Sequence, residues 1–330
     1  MTWTSKKKGL AAYAGGLLLL AVIFIFVLRQ GDYRELMTGI TLFQAAATLA
    51  IAFCLFFING YTIAFMASHQ YKTTIGLWDV ALLPFMMHLW SFVIPFRGGL
   101  LFSAFFLKLK YNIKGADSIA IGMFTIMINL VVTGLCGVYF SFNNDIIYSL
   151  WTVISILLVL TPLFVLVLDR MMQRFRINSQ SVLARLKIFI ASVTSQSRKL
   201  LMDCKVSAGI FILTVAGIAL YAFFIFWAAH VLQIEAGLDK LVIFALMMRL
   251  SVFVRIVPGN IGVQELFSGG TFYLVGGDMT DGLAIALFIR FFSLFLTFSL
   301  GIVGMAANMQ YFKIKNIKKL WMDLRDYRGA

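Results

Sequence analysis

Few residues in this chain carry side chains suited to chemistry, and their placement says more than their number. His69, His88 and His230 are scattered, with no HExxH pair at helical spacing, and Cys54, Cys136 and Cys204 share no CxxC spacing. No metal site, disulfide framework or Ser/His/Asp set is suggested, so the chain reads as a non-enzyme with no catalytic residue, metal or cofactor. What stands out is charge beside proline–glycine breaks inside long apolar runs. The first break reads Pro95-Phe96-Arg97-Gly98-Gly99. The second runs from Arg255 through Pro258-Gly259-Asn260-Ile261-Gly262, with Glu265 just beyond it and Arg290 inside the next apolar run. After each set of glycines a helix begins, and its first N–H groups lack intrahelical acceptors and carry about half a positive charge. Such an arrangement suits a phosphate. Gly98, Gly99, Gly259 and Gly262 would let it approach the backbone, and Arg97 and Arg255 suit a planar, bidentate contact. Glu265 would limit the excess positive charge or bind an aminoacyl or sugar group. Arg290 needs a partner, because a charge inside an apolar span costs about 2.5 to 3.5 kcal/mol. The plainer alternatives are that Arg255 or Arg290 forms a structural ion pair with Glu265, and that the prolines and glycines simply kink their helices. Arg249 and Asp79 read as boundary residues near the polar ends of their runs, and His88 as a packed, hydrogen-bonded residue.

These residues require a membrane scaffold to position them. Of 330 residues, 61% are apolar and 13% charged, and the mean hydropathy is +0.93. A soluble domain is about half apolar and a quarter charged, so the expected fold class is an all-α, polytopic integral membrane protein. The net charge of +14 is gathered at the ends of apolar runs: seventeen of the 28 basic residues lie in Lys6–Lys8, in residues 169–205 and in the tail from Lys313. By the positive-inside rule these three segments are cytoplasmic, as are both termini, in the plasma (inner) membrane. Acidic headgroups, not nucleic acid, are the expected partners of that charge. Residues 169–205 interleave it with Leu183, Leu186, Ile188 and Ile190 and read as an amphipathic helix on anionic lipid, or as a docking site for a cytoplasmic enzyme.

Runs of about 20 apolar residues give six full spans, near residues 9–28 (an uncleaved signal anchor), 37–65, 118–140, 146–168, 207–231 and 282–307. Residues 75–107 and 241–275 are longer runs broken at the two proline–glycine motifs, and each reads as a hairpin, re-entrant or made of two full spans. Pro95 and Pro258 are 163 residues apart, as are Gly99 and Gly262. With the hairpin ends on opposite sides of the membrane, the single membrane domain divides into a first repeat (37–140), a connecting span (141–168), a basic loop (169–205), a second, inverted repeat (206–307) and a basic tail (308–330). Inverted repeats with broken helices at matching places point to a transporter's binding site near the midplane.

The string from Ile256 to Glu265 resembles the PGG-x-G-x-x-E motif of the flippase-like domain of the lysylphosphatidylglycerol synthase family, and residues 276–290 are similar to the family's sequence just beyond that motif. Pro95 to Gly99 resembles the family's weaker first motif, P-x-R-x-G-E, with Leu100 in place of the glutamate and Ser103 where an arginine is common. The resemblance covers residues 10–310. It implies transbilayer movement or handling of an anionic or modified lipid, either a phospholipid or an isoprenoid-phosphate intermediate. The full synthases add a large soluble aminoacyl-transferase domain after the membrane part, whereas this chain ends at Ala330 after a short tail, so the resemblance implies movement rather than synthesis. The alternative is a non-transporting accessory subunit that presents a lipid-linked substrate to a glycosyl- or aminoacyl-transferase.

Overall fold

The computed structural model describes residue 25 and residues 39–93, 98–140, 146–174, 182–251 and 260–312. Among these residues the regular structure is helical throughout. In order, the helices are α1 (Leu42–Tyr71), α2 (Leu77–Val93), α3 (Gly98–Tyr111), α4 (Gly115–Phe140), α5 (Ile146–Val159), α6 (Thr161–Arg174) and α7 (Val182–Met202). They continue with α8 (Cys204–Val231), α9 (Leu238–Ser251), α10 (Val263–Leu274) and α11 (Met279–Ala307), followed by a 3-10 turn, Met309–Phe312.

Four of these, α1, α4, α8 and α11, are long and apolar enough to cross a membrane, and the bent pair α5–α6 makes a fifth if counted as one span. The expected span at 9–28 lies outside the described residues apart from Ile25, so six spans reduce to four continuous ones and one bent one here. The bend of 41° corrects the expectation of a single helix over 146–168. Its cause is local. Pro162 has no N–H for the Leu158 carbonyl, and the Thr161 hydroxyl donates to that carbonyl at 2.8 Å instead. The expected hairpins correspond to α2–α3 and α9–α10, while their tips, residues 94–97 and 252–259, lie outside the described residues.

Helix starts are set by sequence. Thr41 caps α1, its Oγ1 accepting from Gln44 N at 3.2 Å while Gln44 Oε1 accepts from Thr41 N at 2.9 Å. Pro84 within α2 leaves the Val80 carbonyl without its helical donor, and Gly60 of α1 backs onto that carbonyl so closely that a Cβ would sit 1.9 Å from it. The centre is aromatic: Phe85, Phe106, Phe124, Phe224, Phe244, Phe272 and Phe288 are fully buried. Large apolar side chains such as Leu157, Phe164, Phe223 and Phe291 remain exposed on the outer helix faces, a distribution suited to lipid and not to water.

The helices pack in matching pairs. Helix α2 lies on α11 and α9 on α4; α1 packs on α2 and α8 on α9; α3 packs on α4 and α10 on α11; α1 and α8 pack on each other. The starts of α1 to α4 recur 163 residues later, to within two residues, as the starts of α8 to α11. Helix α7 is more than a lipid-surface helix, because it packs on α4 and α6 with Val193 and Leu200 buried. Buried Asp169 of α6 ties it down, accepting from Thr194 Oγ1 at 3.1 Å and Arg198 Nη1 at 3.4 Å.

Candidate functional site

The start of α10 is built around Gly262. Its φ of +80° is a conformation that L side chains rarely adopt, and it turns the chain from Ile261 into the helix. Glu265, at the third helical position, reaches back so that its Oε2 accepts from the Gly262 N–H at 2.7 Å. Its other oxygen, Oε1, accepts a hydrogen bond and an ion pair from Arg290 of α11. Arg290 also donates to the Asn260 carbonyl at 3.4 Å. A carboxylate that is 1% exposed is thus neutralised by one guanidinium and satisfied by one backbone N–H. Of the alternatives left by the sequence, it is Arg290 that is seen paired with Glu265, while Arg255 lies outside the described residues.

The start of α3 is arranged differently. Gly98 and Gly99 are buried, and the Gly99 N–H donates to Ser91 Oγ at 3.2 Å, whose own hydroxyl donates to the Met87 carbonyl at 3.0 Å. A Cβ at Gly99 would lie 2.4 Å from that carbonyl and 2.6 Å from Ser91 Oγ. The bare side of Gly99 therefore serves the close approach of α3 to α2. Leu100, in the glutamate's place, sits over Gly122 of α4, where a Cβ would come within 2.0 Å of it.

Both helix starts line one cavity of about 440 Å³ in the centre of the bundle, a volume within the roughly 300–1,000 Å³ of small-molecule sites. Gly99 and Leu100 contribute from α3, and Asn260, Gln264 and Glu265 from the start of α10. Arg290 reaches it from α11 and His88 from α2, with the imidazole edge-on to Phe56 at 5.2 Å. The structure thus brings together Gly99, Asn260, Glu265 and Arg290 of the expected site, with Gly262 buried beside Glu265. Arg97, Arg255, Pro258 and Gly259 lie outside the described residues. No group of three or more metal-ligating side chains occurs among the described residues.

Arg249 is the residue that sequence reasoning missed. Read as a boundary residue, it instead lines the cavity from the end of α9, its guanidinium carbon 5.6 Å from the centre of the Tyr221 ring. The correction comes from α9 itself, in which Leu241 and Ile243 to Met248 are buried. A helix buried on every side enters the protein, and its basic residue cannot lie at a lipid boundary. The usable signal is an arginine just ahead of a proline–glycine break.

Asp79, the other expected boundary residue, does lie at a helix start, but it is only 5% exposed and tightly held. Lys110 Nζ sits 2.6 Å from its Oδ2 and donates to Asn308 Oδ1 at 2.7 Å, and the Tyr111 hydroxyl also donates to Asp79. This cluster closes the base of the α2–α3 hairpin, whereas the cavity lies toward its tip.

Against known proteins, the family model described as the lysylphosphatidylglycerol synthase TM region matches residues 13–301. No curated protein and no solved structure matches the chain.

Proposed function

The chain belongs to the lysylphosphatidylglycerol synthase family by its transmembrane region, and from that premise we propose that it moves an anionic or modified lipid across the bilayer as a flippase or scramblase, without catalysing a covalent reaction. The observation that carries this reading is the cavity shared by the starts of α3 and α10, which holds buried charge in the middle of an apolar bundle. A charge in such surroundings is costly, and it is typical of a path for a polar group. Each half contributes a hairpin to the cavity. The recurrence of helix starts at 163 residues and the paired packing of α2 on α11 and α9 on α4 favour two inverted repeats around it. In this reading the protein has six spans and two hairpins in the plasma membrane, with both termini and the loop before α7 cytoplasmic, as the basic segments suggest.

Proteoliposomes carrying a fluorescent phosphatidylglycerol in both leaflets test it. A membrane-impermeant reductant added outside should bleach the inner-leaflet probe when the protein is present and spare it in protein-free vesicles. The same protection with and without protein would remove the transport reading and favour an accessory subunit that binds lipid without moving it.

A further inference from the structure

Arg290 has Glu265, but Arg249 has no ion pair among the described residues. Its Nη1 is buried and has no hydrogen-bond partner there, while the guanidinium packs over Tyr221. A cation that is desolvated, held on an aromatic face and left with an unused N–H is a built half-site for an anion, since stacking leaves the edge of the guanidinium fork free to bind.

The same cavity holds an unused acceptor. The Asn260 Nδ2 donates to the Ser251 carbonyl at 3.4 Å, which fixes the amide's orientation, and its Oδ1 is buried with no partner among the described residues. Thr133 Oγ1, also lining the cavity, is likewise buried and unpartnered there. Buried polar groups are almost always satisfied, so several without a protein partner among the described residues around one cavity make it a place suited to polar ligand atoms.

We infer that Arg249 is the anion anchor of this cavity, and that its ligand gives Arg249 a phosphate oxygen and gives Asn260 Oδ1 a hydroxyl or ammonium hydrogen. The inference rests on the lipid-handling reading above and deepens it to a phosphodiester whose headgroup carries a hydrogen-bond donor. Free phosphate shares the anion but lacks the lipid.

The purified full chain in detergent would be titrated calorimetrically with short-chain phosphatidylglycerol, short-chain phosphatidylcholine, whose headgroup has no donor, and inorganic phosphate. Wild type should bind phosphatidylglycerol most tightly. Arg249→Gln should weaken it by about tenfold or more, the loss expected for a charge-assisted hydrogen bond, and Arg249→Lys should recover part of it. Asn260→Gly keeps the positive φ of 54° and should narrow the preference for phosphatidylglycerol over phosphatidylcholine. The ligand-free melting temperature of Arg249→Gln should be no lower than wild type, because an unpaired buried charge has been removed. Wild-type affinity in Arg249→Gln would overturn the inference, as would a lowered ligand-free melting temperature with binding unchanged. Arg249-dependent binding of phosphate as tight as that of the lipid would overturn the headgroup assignment in favour of a free anion. Binding is read here without transport, so a protein that moves lipid but is indifferent to Arg249 would leave the transport reading standing and remove this one.

Discussion

Replacing Arg290 by methionine keeps an unbranched, apolar stem and removes the charge that Glu265 faces. Glu265 is then left almost fully buried with the Gly262 N–H as its remaining hydrogen-bond donor among the described residues. Stranding one member of a buried pair costs about 3–5 kcal/mol, whereas removing both charges is often close to neutral. The double variant Glu265→Gln/Arg290→Met does the latter while keeping an amide oxygen for Gly262. It should therefore be more stable than Arg290→Met alone, with a coupling within the roughly 0.5–3 kcal/mol seen between contacting residues. Unfolding in mixed dodecyl maltoside–SDS micelles, followed by far-UV circular dichroism for wild type, both singles and the double, measures that coupling directly. Costs that add to within about 0.5 kcal/mol would refute the reasoning. Glu265 would then not depend on Arg290, and the clamp of α11 on α10 would contribute no energy.

Glycine positions should separate sharply by what each faces. Gly262→Ala meets a φ of +80° and should cost about 1–2 kcal/mol, whereas Gly270→Ala meets nothing within 4 Å inside a helix and should be neutral or stabilising by up to about 1 kcal/mol, by the same unfolding measurement. Gly99→Ala should lower stability through the α2 contact and should do so equally with and without lipid; a loss confined to lipid binding would contradict that packing. Asp79→Asn strands Lys110 and should destabilise, and Lys110→Met in that background should restore part of the loss, as unfolding midpoints would show. Cysteines placed at exposed Lys72 and Glu235 in a Cys-free background should label from opposite sides of the membrane, and labelling from one side would sink the proposed topology.

Much of the scaffold is legible in the chain because length and apolar periodicity in a bilayer leave few options. Helices α1, α4, α8 and α11 and the shorter pairs α2–α3 and α9–α10 all fall on runs of apolar residues. The bend at Pro162 escapes such a reading because prolines are well tolerated in membrane helices and the run of hydropathy does not change there. Pairing across the site is legible as a set of alternatives: an isolated carboxylate in an apolar stretch must find a cation, but sequence does not rank Arg255 against Arg290. Arg249 is misread because distance from the polar end of a run reports depth in a lipid-facing helix, and it sits on a helix buried in the protein. Asp79, by contrast, does lie at a helix start and is held there by Lys110 and Tyr111. Gly99 shows the converse, since a glycine expected to admit a ligand also lets two helices touch.

The cluster at the hairpin base bears on how the chain is made. Asp79 and Lys110 are 31 residues apart and emerge from the ribosome close together, so α2 and α3 can insert already paired. Asn308, which also accepts from Lys110, is 198 residues farther on. Chains fold from the N-terminal side during synthesis at about 5–20 residues per second, so that last acceptor arrives roughly 10–40 s after the hairpin is complete. Through that interval the first hairpin is held by its own ion pair, and it waits for α11 before its base is finally locked.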